Sequence, residues 1–354
     1  MNDPDARRSG GTNRLRVGLL GAGRIARRFH LPILASLPGV ALVAIADPAA
    51  DARDACRAIA PGAACHSDFA ELLDANPLDA IVICLPPALH AHAAAAGFAR
   101  GLHVYVEKPL ATSADEGRAM LDAWRRAGTV GMVGFNHRFH PLALALKSEL
   151  ARGRAGDVTL VRTAFAGAQR TLPAWKQARE SGGGALLDLA SHQVDLLRFL
   201  FDAEVVEVSA LTRSARSEGD TVVAALRLST GPLVCLCASL AAVEEDRIEV
   251  HGTRGRLVFD RYRSSHLHRS PERRDFRAAA RLQSALDVAG GMPRALRAAL
   301  FPPRDETFAL ALDSFVAAAR GGGPAKPDLD DGMASLAVVL AAERSAREGV
   351  RVAP

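Results

Sequence analysis

The feature that most constrains the fold is a regular alternation of short apolar runs with helix-length, alanine-rich segments over residues 15–134. The apolar runs contain few polar residues, as burial on both faces of a sheet requires. Strands that alternate with helices in this way predict an α/β domain with a parallel, doubly wound sheet. The predicted strands cover residues 15–20, 40–46, 79–84, 102–106 and 129–133, and a helix over 113–127 is opened by Thr112 or Ser113.

The second part of the chain has a different texture, and 354 residues are too many for one typical core. Strand-like runs follow one another without intervening helices, which predicts an α+β domain on a mainly antiparallel sheet. We expect a disordered leader over residues 1–13, a first domain over 14–135 and a second over 136–354. The predicted second-domain elements are strands at 157–167, 204–212, 221–229, 233–240, 247–251 and 256–259, and helices at 142–152, 185–201, 306–320 and 331–347.

Composition excludes several classes of protein. The net charge of +5 and the charged fraction of 23% are ordinary for a soluble enzyme and lack the basic footprint of a nucleic-acid binder. The leader has no apolar stretch, and the longest apolar run, 233–243, is too short to span a bilayer, so we expect a cytoplasmic protein without membrane contact. The five cysteines lack a disulfide or zinc pattern and are predicted to be reduced core thiols, with Cys235 and Cys237 on one face of a strand.

A glycine loop follows the first predicted strand. Gly21-Ala22-Gly23-Arg24-Ile25-Ala26 has the spacing in which one glycine permits a tight turn, the next admits a pyrophosphate, and a small residue lets helix and strand pack closely. Asp47 ends the second strand, where a carboxylate accepts hydrogen bonds from ribose hydroxyls and repels a 2′-phosphate. The loop predicts dinucleotide binding, with NAD favoured over NADP. The alternative for Asp47 is a turn or a helix cap.

Lys108 is the leading catalytic candidate. It lies in Glu107-Lys108-Pro109, directly after the strand at 102–106. The chain has only four lysines and otherwise uses arginine, so a retained lysine suggests a need for a compact ammonium whose pKa can shift. The alternative is an exposed charge at a strand end.

Asp188 and His192 form a second candidate pair, four residues apart on the predicted helix 185–201. We expect the carboxylate to orient the imidazole and to favour its protonated form, as in a proton-transfer pair. A surface salt bridge is the alternative. The preceding Gly182-Gly183-Gly184 would let the helix start approach a cofactor or substrate closely.

These motifs together resemble the glucose-fructose oxidoreductase, inositol dehydrogenase and MocA (Gfo/Idh/MocA) family. The glycine loop, Glu107-Lys108-Pro109, the segment 134–139 (Gly-Phe-Asn-x-Arg-Phe) and the segment 182–195, with its Asp188, His192 and Asp195, stand in the family's order, and 344–349 is similar to its last helix. The resemblance covers nearly the whole chain. It implies an NAD(P)-binding Rossmann domain, an open, mainly antiparallel second sheet, often used to form homodimers or homotetramers, and oxidation or reduction at a carbinol carbon of a sugar or cyclic polyol.

Carried over residue by residue, the resemblance assigns roles to this chain. Lys108 would bind and polarise the substrate hydroxyl, Asp188 would hold the geometry and His192 would be the general acid/base. The Lys108–Pro109 bond is a candidate cis bond. Substrate-binding candidates are Lys108, Arg138, Trp175 (beside Lys176), Asp188 and His192, with structural roles as the alternative for Arg138 and Trp175. Cofactor-binding candidates are Gly21, Gly23, Arg24, Ile25, Asp47, Pro86, His90, Glu107 and Lys108.

The other histidines suggest little chemistry. His90 and His92 flank a helix start after Pro86-Pro87, where the family brings backbone near the cofactor, although a cap or surface role is the alternative. His266 and His268 lack carboxylate or cysteine partners at metal-ligand spacing. We predict no catalytic metal.

The motifs are consistent with three functions. The first is an NAD-dependent sugar, polyol or nucleotide-sugar dehydrogenase. The second is an NAD-dependent glycosidase with a recycled cofactor, which would keep the same fingerprint. The third is a non-catalytic dinucleotide sensor, which would have no chemical need for Lys108, Asp188 and His192 together.

The segment 261–304 is dense in arginine and lies beyond the shared motifs. One interpretation is a solvated loop whose charges aid solubility. The other is a cover over the substrate pocket that binds a diphosphate or carboxylate, for which the planar guanidinium is suited.

Overall fold

The computed structural model of the protein describes residues 14–167, 172–271 and 305–354. The predicted leader over 1–13 and most of the arginine-rich segment, 272–304, lie outside the described residues. Among those described, no helix combines the length and the apolar character needed to cross a membrane.

The first sheet has six parallel strands in the order β3-β2-β1-β4-β5-β6, as the apolar runs predict. The order reverses between β1 and β4, and in such sheets the crevice outside the carboxyl ends of the strands is where ligands bind. The five predicted strands are confirmed to within two residues at each end, and the three-residue β3 was not predicted. Their bounds are β1 Leu15–Leu20, β2 Val40–Ala46, β3 Ala64–His66, β4 Ala80–Ile83, β5 His103–Val106 and β6 Gly131–Val133.

Helices connect these strands on both faces of the sheet. The helix after β5 has the predicted capping box: the Ser113 side chain accepts from the backbone N–H of Glu116, and the Glu116 carboxylate accepts from that of Ser113. Thr112, the alternative cap, donates to Glu116 instead. The helices are α1 Leu31–Ser36, α2 Ala50–Ile59, α3 Phe69–Ala75, α4 His90–Ala99 and α5 Ala114–Ala127.

The second sheet has seven strands in the order β13-β12-β11-β7-β10-β9-β8. Only the β7–β10 pair is parallel, so the expectation of a mainly antiparallel sheet is confirmed. One face packs on helices and the other is open, so the strands alternate buried and exposed residues. The strands are β7 Val158–Ala166, β8 Val205–Arg213, β9 Thr221–Leu228, β10 Leu233–Ser239, β11 Glu245–Gly252, β12 Gly255–Asp260 and β13 His268–Pro271.

The helix predicted over 185–201 differs in its first turn. Leu186–Ala190 is π-helical and only Ser191–Phe201 is a regular α-helix, α8. Wide turns of this kind are frequent at functional sites. The remaining helices are α6 Pro141–Ala151, α7 Ala174–Gln177, α9 Thr307–Ala319 and α10 Leu329–Glu348.

The cysteines are free, but not all are core residues. Cys56 is buried, whereas Cys235 is exposed. Cys235 and Cys237 share the open face of β10, as their spacing predicts. The expectation of core thiols is therefore wrong for Cys235, because that face of the sheet lacks covering helices among the described residues.

Helix α9 crosses back to the first domain, although it follows the second sheet in the chain. Leu312 and Phe315 are fully buried with first-sheet residues such as Val17 and Tyr105, and the Phe315 ring meets the Tyr105 ring at 5.7 Å between centroids. The division at residue 135 stays a prediction, but the core of the first domain includes this late helix.

Phe315→Ala should lower the free energy of unfolding by about 3–5 kcal/mol, because it deletes a fully buried ring where two chain segments meet. Leu310→Ala on the exposed side of α9 is the matched control and should cost below about 1 kcal/mol. Denaturant unfolding measures both, and equal costs would contradict this role for α9.

Candidate functional site

The glycine loop lies at the carboxyl edge of the first sheet. Gly21 has a φ of 91°, and a Cβ there would lie 2.7 Å from the carbonyl oxygen of Cys84, so only glycine fits. A Cβ on Gly23 would meet no described atom within 4 Å, which leaves its backbone open to a ligand. Arg24 and Ile25 begin a helical segment that continues through the π-helical turn Ala26–His30 into α1. Its first N–H groups lack partners within the helix and can face an anion.

Asp47 holds this loop in place. Its Oδ2 accepts from the Ala22 N–H at 2.7 Å, and its Oδ1 accepts from the Ala49 N–H at 2.9 Å. The carboxylate does not cap α2, since that helix has no side-chain cap. Each oxygen keeps a second lone pair, so Asp47 can still accept from ribose hydroxyls. These residues fit a dinucleotide, and the ribose contact itself stays a prediction.

Two lysines bind one buried carboxylate between the domains. Lys108 Nζ, after β5, lies 2.9 Å from Asp188 Oδ1 and 2.5 Å from the Asp188 carbonyl oxygen. Lys176 Nζ, from α7, lies 2.6 Å from Asp188 Oδ2. Burial would raise the pKa of Asp188, but the two ammonium groups outweigh burial and hold that pKa well below its ordinary value. The three side chains therefore carry a net positive charge.

Lys176 is the member that sequence reasoning undervalued. Burial, with Lys108 as a second positive charge nearby, lowers the pKa of its ammonium despite the Asp188 carboxylate. The signal that could have found it is the same one that favoured Lys108, because Lys176 is another of the four lysines in an arginine-rich chain.

The glycine run brings these groups together. Gly182 has a φ of 98°, and a Cβ on it would lie 2.5 Å from the Pro87 side chain. A Cβ on Gly183 would lie 2.4 Å from the carbonyl oxygen of Lys176. The run therefore lies close against the loop after β4 and against α7, and its predicted approach to a cofactor or substrate stays a prediction. Pro86 caps the short turn Pro87–Leu89 in that loop, and its contact with a cofactor stays a prediction.

His192 lies buried in the first turn of α8, but not as a partner of Asp188. No hydrogen bond joins the two among the described residues, since both carboxylate oxygens bind lysines. Burial, followed by Lys108 and Arg261, lowers the pKa of His192 well below its ordinary value and outweighs Asp188. Asp188 does raise the pKa of His192, as expected, but burial and the nearby cations outweigh it, so the expectation of a protonated ring oriented by Asp188 is wrong.

Glu107 supports Lys108 from the first domain. Its Oε2 accepts from the Lys108 N–H at 3.2 Å, and its Oε1 lies 2.7 Å from Nε2 of the buried His30. Burial would lower the pKa of His30, but Cys84 and Glu107 outweigh burial and raise that pKa to about 10. His30 was not predicted as a site residue.

Two expectations about neighbouring residues change, and a third stays a prediction. Arg138 is buried, donates to both oxygens of Asp195 at 2.6 and 2.8 Å, and contacts Asp331, so its guanidinium is occupied within the protein and not free for a substrate. His90 is neither a cap nor a surface residue: its ring is buried, 2.8 Å from the Pro109 oxygen and 2.9 Å from the Leu85 oxygen. Trp175 is half-buried in α7, with Lys176 Nζ 5.3 Å from its ring, and its contact with substrate stays a prediction.

Two further expectations concern the Lys108–Pro109 peptide bond and a metal site. The Lys108–Pro109 bond is cis, as anticipated. No group of three or more His, Cys, Asp or Glu side chains in the described part of the chain is arranged to hold a metal ion. The absence of a catalytic metal stays a prediction.

A nucleotide-type glycine loop facing a buried lysine, carboxylate and histidine across a domain cleft defines a dinucleotide-dependent oxidoreductase. Residues 15–135 match the description "Oxidoreductase family, NAD-binding Rossmann fold", and residues 143–258 match "GFO/IDH/MocA C-terminal domain". The chain belongs to the Gfo/Idh/MocA family of NAD-binding oxidoreductases.

Relatives cover nearly the full length. The chain is 30% identical to inositol 2-dehydrogenase of Rhizobium meliloti over 94% of this chain and 97% of that protein. It is 29% identical to dTDP-3,4-didehydro-2,6-dideoxy-alpha-D-glucose 3-reductase of Streptomyces antibioticus, over 87% and 90%. Among solved structures it resembles the WlbA dehydrogenase from Bordetella pertussis in complex with NADH and UDP-GlcNAcA, with a TM-score of 0.80, 28% identity and coverage of 97% and 98%.

Asp188→Asn should lower the free energy of unfolding by about 3–5 kcal/mol, because it leaves two buried ammonium groups without their carboxylate. Asp202→Asn is the matched control. It removes an exposed carboxylate that pairs with Lys147 and should cost below about 1 kcal/mol. Thermal or denaturant unfolding compares them, and an Asp188 variant as stable as the control would contradict the ion-pair cluster.

Proposed function

We propose that the protein transfers a hydride between NAD(H) and a carbinol carbon of a sugar, cyclic polyol or nucleotide-sugar. The observation that carries this proposal is the Lys108 ammonium, fixed by Asp188 at the carboxyl edge of the first sheet, with the buried neutral His192 in the adjoining helix. A cation and a neutral base are what removal of a hydroxyl proton requires.

The bound cofactor supplies the hydride acceptor or donor. The glycine loop would hold its pyrophosphate against the helix start at Arg24, and Asp47 would accept from the adenosine ribose. Asp47 also supports NAD over NADP, since its carboxylate would repel a 2′-phosphate.

Each catalytic side chain has one role. Lys108 binds the substrate oxygen and stabilises the alkoxide character that develops as hydride leaves carbon. Asp188 holds the Lys108 ammonium in place through its 2.9 Å contact. His192 takes the hydroxyl proton during oxidation and returns it during reduction, for which a neutral imidazole is the competent starting form in the oxidative direction.

The substrate class is inferred from the relatives. Those named above act on, or are bound to, an inositol, a dTDP-sugar or a UDP-sugar. The net positive charge of Lys108, Asp188 and Lys176 supports an oxygen-rich or anionic substrate. The uncharged inositol of one relative supports an oxygen-rich substrate, and the nucleotide-sugars of the others support an anionic one.

A substrate panel tests the proposal. Sugars, inositols and nucleotide-sugars are incubated with NAD and, in parallel, NADP, and reduced nicotinamide is read by absorbance. We expect reduction of NAD with at least one carbinol substrate. Cleavage of a glycoside without net NADH would indicate the glycosidase alternative, binding of NADH without any turnover would indicate a sensor, and a preference for NADP would contradict the role of Asp47.

Lys108→Ala and His192→Ala should each reduce turnover at least about a hundredfold, the usual order for loss of a preorganised charge or a general base. NADH binding, measured by fluorescence titration, should stay within about threefold of wild type because neither side chain carries the glycine loop. Lys326→Ala, at a largely exposed lysine, is the control and should turn over normally. Normal turnover in either site variant would remove that residue from the mechanism.

We further propose that the open face of the second sheet forms a homo-oligomer. Leu211 and Val223 are paired across β8 and β9, Leu233 and Leu160 are paired across β10 and β7, and all four are exposed large apolar residues. Exposed apolar pairs of this kind on a sheet face are typical of subunit interfaces.

Light scattering should give the mass of a dimer or tetramer for the wild type. Val223→Arg should shift it toward the monomer, because a charge would be buried in the interface. Val243→Arg, at an exposed residue between β10 and β11, should leave the mass unchanged. A monomeric wild type would contradict the proposal.

A cytoplasmic location is also proposed. All five cysteines are free, which suits a reducing compartment. Recovery of the native enzyme from a secreted or periplasmic fraction would contradict this location.

A further inference from the structure

Two buried histidines stack beside the lysine cluster. His137, from the turn after β6, lies face to face with His192, with ring centroids 4.0 Å apart and planes 11° from parallel. Phe165 contacts both rings, at 5.5 and 6.1 Å between centroids. Two imidazoles this close cannot readily carry a positive charge at once, so they take up protons as a coupled pair.

A carboxylate lies just beyond His137 but is bound to another group. Asp246 Oδ2 is 4.0 Å from His137 Nδ1, beyond hydrogen-bonding distance, whereas Arg261 Nε is 2.5 Å from the same oxygen. Arg261 Nη1 also contacts Asp305 at 3.4 Å, and the guanidinium lies 5.9 Å from the Phe165 ring. Arg261 is therefore the partner of the carboxylate nearest His137, and burial still raises the pKa of Asp246 despite this contact.

The surroundings favour neutral rings. Burial is the largest influence that lowers the pKa of each ring, Arg261 is the next for His137, and Lys108 followed by Arg261 is the next for His192. The Nδ1 of His192 is buried without a hydrogen-bond partner among the described residues. The charged or titratable groups facing the pair are Lys108, His140, Lys176, Asp188, Asp246 and Arg261.

We propose that His137 and Arg261 are positioning residues for proton transfer: His137 fixes the His192 ring by stacking, and Arg261 withholds Asp246 so that the pair stays neutral. The inference rests on the proposed role of His192 as the base. Arg261 is the first residue of the arginine-rich segment 261–304. Under this proposal it acts inside the protein and does not bind an anionic group of the substrate.

Oxidation needs the neutral pair, so kcat/KM falls as pH falls through the apparent pKa of the pair. Arg261→Met removes a cation that lowers the pKa of both rings, so the apparent pKa of the pair rises and activity is lost at higher pH. Asp246→Asn removes the carboxylate and leaves the cation, so its acid limb should lie at or below that of the wild type.

The experiment is the pH profile of kcat/KM for oxidation with the best substrate from the panel. We expect the acid limb of Arg261→Met to move up by about one pH unit or more, the usual size for one nearby charge. Arg263→Met is the matched control: this arginine is largely exposed, and its profile should superpose on the wild type. A superposed Arg261→Met profile, or equal upward shifts in Arg261→Met and Asp246→Asn, would overturn the proposal.

A double variant covers the case in which Arg261→Met does not fold. Asp246→Asn/Arg261→Met leaves no unpaired charge from this ion pair and differs from Asp246→Asn only in the cation. Its acid limb should lie at higher pH than that of Asp246→Asn. Coincident limbs would also overturn the proposal.

A readout without catalysis separates this inference from the proposed function. NMR of histidine-labelled protein follows protonation of His137 and His192, with signals assigned from His137→Phe and His192→Phe. We expect both rings to stay neutral across about pH 6–8 in the wild type, and one to gain a proton there in Arg261→Met. If one ring gains a proton in Arg261→Met but the protein shows no redox turnover, only the oxidoreductase proposal is contradicted. If the protein turns over substrate but the titration of both rings is the same in Arg261→Met as in the wild type, the role of Arg261 is contradicted.

Discussion

The contact between Lys108 and Asp188 is the interaction around which the cleft is built. It joins the end of a first-domain strand to the start of a second-domain helix, where each charge would be costly if buried alone. The glycine run at 182–184 exists in its observed form because the helix start must come this close to Pro87 and α7. Lys176 then binds the other oxygen of the carboxylate.

Much of the fold could be predicted because it depends on local pattern. Doubly buried strands such as Ala80–Ile83 must be continuously apolar, and a nucleotide loop must have glycine where backbone passes close to Cys84. The second, mainly antiparallel sheet could be predicted because strand-like runs follow one another in the sequence without helices between them. The short β3 escaped because three residues are too few to show a period.

The site was less predictable, because its chemistry arises from contacts between distant segments. Spacing suggested that Asp188 orients His192, yet Asp188 is bound by two lysines, one from the segment after β5 and one from α7. No sequence pattern indicates that His137 stacks on His192. Nor does any pattern show that Arg138 is buried against Asp195 and is not a substrate-binding arginine. Arg261 and Arg263 read alike in the sequence, but only the first is turned inward.

The return of α9 to the first domain has a consequence for synthesis on the ribosome. The buried face around Tyr105 is closed by Leu312 and Phe315, which emerge long after the six strands they cover. A nascent first domain therefore presents an open apolar surface while the whole second sheet is being made. Folding of the nucleotide-binding half is completed only near the end of translation, so its final docking step must compete with chaperones or with premature association.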